Sequence, residues 1–274
     1  MKVKRLFTQI SLFIFMLVLA MTGFSKEESV ESKWAVQPLT IDGLDDDWTG
    51  DVLTSEKKVK VDYAVRNDAQ NIYVLFVFKD PKFLSTINDS GITLYFNTEG
   101  KKKKDHSFHF IKKQVTPDEL IAYLERRSEL LTEEQRQTIK EKPGYIVYMA
   151  ERVGEKDKVA SKATQIPDIL KPAFRINRKG KELIYEFRVP LAKSETSPEG
   201  IGADPGRTVK VGFEWGGMTE ELLKRRVGAG GGRGQDAEDS VYRVSAKSDA
   251  SATRKPSMPK KYNFWVDVKL AQNQ

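Results

Sequence analysis

Apolar and polar residues alternate along most of the chain, which is the pattern of β-strands. In KVKVDYAVR (residues 58–66), every second residue from Val59 to Val65 is apolar, and most residues between them are polar. This period of two predicts a strand with one buried face. NIYVLFVF (residues 71–78) is apolar at every position but the first, and it predicts a central strand that is buried on both faces.

Further strands are predicted from the same alternation in residues 91–100, 106–112, 208–215, 240–245 and 262–270, with a hairpin in residues 172–190. In that hairpin, alternating apolar residues stand on both sides of a turn at residues 177–181. About nine strands without regularly alternating helices predict a mainly β protein. The expected fold is an antiparallel β-sandwich of jelly-roll type.

One segment, residues 116–142, breaks the period of two. Thr116, Pro117 and Glu119 form a capping box with proline at the first helical position. Thr132 and Gln135 repeat the capping pattern, so two short helices are predicted. A segment of about 27 residues cannot bury a core of its own. We therefore interpret it as a helical insertion within a single domain that covers residues 26–274.

Two polar segments are predicted to be flexible loops, residues 228–239 and 246–260. The first, GAGGGRGQDAED, is rich in glycine but lacks Gly-Lys-Ser/Thr and the G-x-G-x-x-G spacing of nucleotide-binding loops. The second is a low-complexity stretch with two prolines that leads into the last strand.

The first residues have the organisation of a secretory signal peptide. Lys2, Lys4 and Arg5 precede an apolar run over residues 10–21, and small residues follow at Gly23 and Ser25. We expect cleavage after Ser25 and export to the periplasm or the extracellular space, with no membrane span left in the mature chain.

The composition excludes several kinds of functional site. The 274 residues include no cysteine, which excludes disulfides, thiol nucleophiles and cysteine-ligated metal sites. The formal charge is +7, and three of these charges belong to the predicted signal peptide. The densest basic run, Lys101 to Lys104, is typical of a solvated hairpin tip, so nucleic-acid binding is not predicted.

LTIDGLDDDWTGD (residues 39–51) concentrates four acids just before a tryptophan. Gly43 directly follows Asp42, so the EF-hand pattern fails, while a structural calcium site assembled from distant loops is left open. The simpler interpretation is a tight turn at Asp42-Gly43 with solvated acids from Asp45 to Asp47. Trp48 would then fold inward and cap a sheet.

The order of such phrases resembles family 9 carbohydrate-binding modules and their DOMON-like relatives. The opening phrase is IDGLDDDW (residues 41–48), followed by DAQNIYV (residues 68–74) and Asp80. YEFRVPL (residues 185–191) and VGFEW (residues 211–215) come later in the chain. The resemblance spans residues 34–270, and it implies a β-sandwich that binds a polysaccharide or oligosaccharide without hydrolysing it, usually beside a hydrolase.

A sugar site requires an exposed aromatic ring and polar side chains that pair with hydroxyl groups. Trp215 is the first candidate, because it ends a strand and precedes two glycines. Glu214 and Arg243 are candidate hydroxyl partners, and Trp34 is a second aromatic candidate. Trp265 alternates with Phe264 in the last strand, so one of that pair is expected in the core.

Neither catalytic nor metal-binding residues are predicted. No carboxylate pair stands out, and the two histidines, His106 and His109, are an odd number of residues apart and would face opposite sides of a strand. Two alternatives to sugar binding stay open. One is non-covalent haem binding of the DOMON-like kind, with His109, Met149 and Met218 as conceivable ligands. The other is an interaction module that binds a protein partner in the cell envelope, with the helical insertion and the basic hairpin tip as its contact surface.

Overall fold

A computed structural model describes residues 29–80, 87–127, 130–153, 167–194, 197–217 and 260–273. The predicted signal peptide, the loop at 228–239, nearly all of the loop at 246–260 and the predicted strand at 240–245 lie outside these residues. Twelve strands are described: β1 Ser29–Glu31, β2 Lys33–Trp34, β3 Thr54–Glu56, β4 Val61–Asn67, β5 Asn71–Phe78, β6 Ile92–Asn97, β7 His106–Val115, β8 Tyr145–Val153, β9 Ala173–Lys179, β10 Glu182–Pro190, β11 Thr208–Gly216 and β12 Lys261–Lys269. Three α-helices accompany them: α1 Ile87–Ser90, α2 Pro117–Arg126 and α3 Glu133–Lys140.

The strands form two sheets. Sheet A has the order β1-β12-β11-β6-β7-β8, and sheet B has the order β2-β4-β5-β10-β9, with β3 also paired to β4. Neighbouring long strands are antiparallel, whereas the short strands β1 and β2 pair in parallel with β12 and β4. The predicted β-sandwich is therefore confirmed, with two mixed sheets because of these short N-terminal strands.

The main core lies between the sheets. It is rich in aromatic rings, and Phe76 of β5 lies within 4.7–6.2 Å, between ring centroids, of Tyr63, Phe213 and Phe264. Strand β5 is buried on both faces, as predicted, and Ile72, Val74, Phe76 and Phe78 all lie in this core.

A second, smaller core covers the outer face of sheet B. It is formed by residues of the segment 35–48 and by outward-facing strand residues, namely Ala35, Leu39, Trp48, Ala64, Tyr73, Leu75, Val77 and Ile184. Strand β5 contributes its alternate residues to this core. This arrangement explains why residues 71–78 are apolar on both faces.

The stretch 39–51 contributes Leu39 and Trp48 to this second core, in agreement with the predicted inward orientation of Trp48. Asp46 and Asp47 are exposed, as predicted for solvated acids. Trp48 is 3% exposed, and its indole Nε1 donates a hydrogen bond of 2.6 Å to Oε1 of the buried Glu186 in β10. The backbone N–H groups of Asp42 and Gly43 donate to the other oxygen at 3.1 and 2.8 Å. Gly43 has φ +83°, and a Cβ there would lie 2.9 Å from the backbone carbon of Ile176. The glycine therefore allows the turn to approach sheet B closely.

The side chain of Glu186 lies on the outer face of sheet B, and the residue is 0% exposed. Burial raises its pKa from 4.5 to about 7, although hydrogen bonds from Trp48, Gly43 and Asp42 act to lower it. The effect of burial exceeds that of the three donors, so the fold favours the protonated carboxyl group.

Helices α2 and α3 begin where the two capping patterns predict. The side chains of Thr116 and Thr132 accept from the backbone N–H of Glu119 and Gln135, and both capping boxes are complete. Helix α2 also protects β8, the edge strand of sheet A. The Arg127 guanidinium, just after α2, donates to the Ala150 carbonyl at 3.0 Å. A side chain thus supplies a hydrogen-bond partner for a backbone group at the edge of the sheet.

The two histidines face opposite sides of β7. His106 pairs with Phe96 on the core side, and His109 pairs with Thr93 on the outer side. Among the described residues, no three His, Cys, Asp or Glu side chains come together in a way that could hold a metal ion. No helix in the described part of the chain is long and apolar enough to cross a membrane.

Candidate carbohydrate-binding site

The prediction that Trp215 offers an exposed ring to a sugar is wrong. Its side chain is 2% exposed and lies in the main core. The ring stacks on Tyr262 at 5.7 Å and meets Phe78 edge-on at 5.5 Å, measured between ring centroids. The physical reason is the alternation of strand residues, since Val211, Phe213 and Trp215 all point inward from β11.

Glu214 lies on the opposite face from Trp215, so the two residues cannot share a site. In β11 the residues that face outward from sheet A are Lys210, Gly212 and Glu214. The pleat of β11 thus separates two sequence neighbours that were predicted to share a site. The structure instead groups Glu214 with a different tryptophan.

That tryptophan is Trp265, which lies over a glycine on the outer face of sheet A. Gly212 in β11 stands between Trp265 of β12 and Tyr95 of β6 in the strand register. A Cβ at Gly212 would lie 2.7–2.8 Å from three atoms of the Trp265 ring. Because Gly212 has no side chain, the indole of Trp265 can contact the backbone of β11 directly.

The two rings form a nearly parallel pair across β11. Their centroids are 5.9 Å apart and their planes differ by 18°. Tyr95 is 8% exposed and Trp265 is half-buried. Because Gly212 lies against one side of the indole, the accessible part of that ring is directed away from the sheet.

Charged side chains surround this pair. The Tyr95 hydroxyl donates to Glu214 Oε1 at 2.8 Å, and Lys261 Nζ lies 2.9 Å from the same oxygen. Lys104 Nζ donates to Glu214 Oε2 and to the Tyr95 hydroxyl, both at 3.1 Å. We call Trp265, Tyr95, Gly212, Glu214, Lys104 and Lys261 together the Trp265 platform.

The platform holds Glu214 in its ionised form. Burial acts to raise the pKa of Glu214, but hydrogen bonds from Lys261, Tyr95 and Lys104 outweigh it and lower the pKa. The pKa of Lys104 is raised, because its bonds to Tyr95 and Glu214 outweigh the opposing effect of burial. At neutral pH the platform therefore carries one carboxylate between two ammonium groups.

The other predicted site residues lie elsewhere. Trp34 is half-buried in β2, which pairs with β4 in sheet B, so it is on the other sheet from Glu214. Arg243 lies outside the described residues, as does Met218. A ring nitrogen of His109 is 2.8 Å from the Ser90 carbonyl oxygen.

Trp265 is predicted only as one of a pair with Phe264, and Tyr95, Gly212 and Lys104 are not among the predicted sugar-binding residues. Strand alternation was the available signal. Phe264 lies in the row of apolar residues that face inward from β12, which leaves Trp265 among the outward-facing polar residues Asn263 and Asp267.

No known family matches the sequence, and no curated protein matches it either. Two solved structures of a family 9 carbohydrate-binding module from Caldicellulosiruptor kristjanssonii are similar to this chain. The complex with glucose has 13% identity and a TM-score of 0.37, and the match covers 71% of this chain and 81% of the module. The complex with cellotriose has 12% identity and a TM-score of 0.36, with 68% and 75% covered. The family is the one that the phrases in the sequence resemble.

Proposed function

We propose that this protein is an exported carbohydrate-binding protein that recognises a polysaccharide or oligosaccharide with the Trp265 platform. The observation that supports the proposal is the indole of Trp265, which lies on Gly212, stacks beside Tyr95 and has polar groups around it. An aromatic ring fixed on a sheet face can stack on the apolar face of a pyranose, while neighbouring polar groups pair with its substituents.

The proposed binding is non-catalytic. Glycoside hydrolysis requires two carboxyl groups about 5–9.5 Å apart. Glu214 is opposite Asn263 in the register, and Asp267 stands four residues farther along β12, about 14 Å away. Both carboxylates are also ion-paired, Glu214 with Lys261 and Asp267 with Lys210. We therefore propose recognition of the sugar and no bond cleavage at this face.

Trp265→Ala is the variant that tests the proposal. A stacked ring contributes on the order of 1 kcal/mol beyond simple burial, so dissociation constants between micromolar and millimolar are expected for the wild type. Affinity electrophoresis through gels that contain a panel of polysaccharides should show retardation of the wild type and none of Trp265→Ala. Thermal melts of both proteins should show that the variant is folded.

Trp34→Ala is the matched control, because it removes a half-buried tryptophan from the other sheet. Retardation that is lost in Trp34→Ala and kept in Trp265→Ala would move the site to sheet B. A wild type that ignores the whole panel would contradict sugar binding. In that case a Soret band in the purified protein would favour the haem alternative, and a co-purifying partner would favour the interaction module.

A further inference from the structure

We infer that the ligand of the Trp265 platform is an anionic glycan, with carboxylate or sulfate groups on its sugar rings. The inference rests on the proposed function and adds the chemical class of the ligand. It follows from which hydrogen-bonding groups on the platform are already engaged.

The only carboxylate on the platform is occupied. Glu214 Oε1 accepts from the Tyr95 hydroxyl and Lys261, and Oε2 accepts from Lys104. A neutral pyranose presents hydroxyl groups that donate as well as accept, so it is recognised best by a mixture of acceptors and donors. Glu214 has little acceptor capacity left for such hydroxyl groups.

The donors on the platform are less fully used. Each lysine ammonium carries three donors. Lys104 makes two of the bonds given above and its Nζ also lies 4.1 Å from the centroid of the Tyr95 ring, whereas Lys261 makes one bond. The two lysine side chains are nevertheless 51% and 54% exposed. The hydrogen-bonding groups that face solvent beside Trp265 are therefore mainly positively charged N–H donors. Such donors suit groups that only accept, such as carboxylate and sulfate.

The adjoining β6–β7 loop adds positive charge. Residues 98–105 contain Lys101 to Lys104 and two acids, Glu99 and Asp105. Both acids have partners within the loop region, since Glu99 pairs with Lys101 at 2.7 Å and Asp105 accepts from the Asn97 amide at 2.6 Å. With Lys261 and Glu214 included, five lysines stand against three acids, a net charge of +2. This local excess would attract a polyanion and would be weakened by salt.

Affinity electrophoresis with matched polymers tests the inference. Polygalacturonate and its methyl ester share a backbone but differ in charge, and dextran sulfate and dextran form a second pair. We expect retardation by at least one charged member and at least tenfold weaker retardation by its neutral partner. Binding of polygalacturonate alone would assign the anion as carboxylate, and binding of dextran sulfate alone would assign it as sulfate.

Two double lysine variants distinguish binding at the platform from nonspecific attraction to the positive charge of the protein. Lys104→Ala with Lys261→Ala should weaken binding of the charged polymer roughly tenfold. Lys33→Ala with Lys179→Ala removes the same charge from two ion-paired lysines of sheet B, with side chains 56% and 64% exposed, and should change binding less than twofold. Equal losses in the two double variants would overturn the inference.

Glu214→Gln distinguishes the inference from a site in which Glu214 accepts hydrogen bonds from sugar hydroxyl groups, because the two cases predict opposite changes in binding. Removing its charge releases both lysines, so the charged polymer should bind several-fold tighter; weaker binding would overturn the inference. Equal retardation by charged and neutral polymers would also overturn it while leaving the proposed function intact. Retardation by none of these four polymers would overturn the inference, and only failure of the whole polysaccharide panel would contradict the proposed function as well.

Discussion

Replacing Trp48 by phenylalanine isolates a single donor in the contact between the acidic stretch and sheet B. Phenylalanine retains an aromatic ring at a position that is 3% exposed, but it removes the indole N–H that lies 2.6 Å from Glu186. Above the Glu186 pKa of about 7 the acceptor is ionised, and a hydrogen bond to a charged group contributes about 1.5–3 kcal/mol. The smaller ring also leaves unfilled volume, so a total loss of about 2–4 kcal/mol in unfolding free energy is expected. Trp48→Ala, which removes the whole ring, should cost about 3–5 kcal/mol from lost packing alone.

The cost of Trp48→Phe should depend on pH, because the acceptor titrates. Below the Glu186 pKa of about 7, the indole donates to a neutral carboxyl group, and such a bond contributes only about 1 kcal/mol. The penalty should therefore fall by about 1 kcal/mol between pH 8.5 and pH 5.5. Urea unfolding followed by far-UV circular dichroism at both pH values measures this change without relying on tryptophan fluorescence.

Trp265→Phe is the control, since it makes the same substitution on the other sheet and should show no comparable dependence on pH. An unchanged unfolding midpoint in Trp48→Phe would refute the stabilising role of the indole N–H. A penalty that is equal at both pH values would show that Glu186 keeps one charge state throughout this range.

The same carboxyl group predicts how the stability of the wild type varies with pH. Its folded pKa of about 7 lies above the value of 4.5 expected in the unfolded chain, so the native state binds the proton more tightly and stability falls as pH rises from 4.5 to 7, by about 3 kcal/mol for this group. Urea titrations of the wild type and Glu186→Gln should show the wild type losing stability relative to the variant across this window, and a relative gain would contradict the raised pKa. Gly212→Ala should displace the Trp265 ring, because its Cβ would lie 2.7 Å from ring atoms, and sugar binding should weaken about tenfold with little change in the thermal melt. Unchanged binding in Gly212→Ala would show that the position of the indole on the strand is not required.

Much of the sandwich follows from local pattern. The two-sided apolarity of residues 71–78 predicts a strand between two cores, and β5 contributes to both. The hairpin in residues 172–190 forms with the turn where predicted. Strand β8 is not predicted by alternation, because the outward-facing residues Val147 and Met149 are also apolar and the period of two is unclear.

The contact between Trp48 and Glu186 illustrates what local pattern cannot supply. In the sequence, Glu186 is an outward-facing residue between apolar neighbours, as expected of a solvated strand position. Its burial results from a segment that lies 138 residues away along the chain. The two phrases of the family resemblance that contain these residues, 41–48 and 185–191, are thus in direct contact, although the alternation in each phrase gives no sign of the other.

The burial of Trp215 and the outward direction of Trp265, in contrast, could be predicted from alternation, and the glycine in the neighbouring strand is a second sign. In β11, Val209, Val211 and Phe213 form an apolar row that Trp215 continues, so burial follows from parity. In β12, the apolar row contains Phe264, and Trp265 belongs to the row that also holds Asn263, Asp267 and Lys269. A large ring in a polar row must rest on a small residue of the neighbouring strand or extend into solvent, and Gly212 is the only residue between Thr208 and Glu214 that offers no side chain. A tryptophan out of phase with the core, opposite a glycine, is therefore a better sign of an accessible ring than a tryptophan at a strand end.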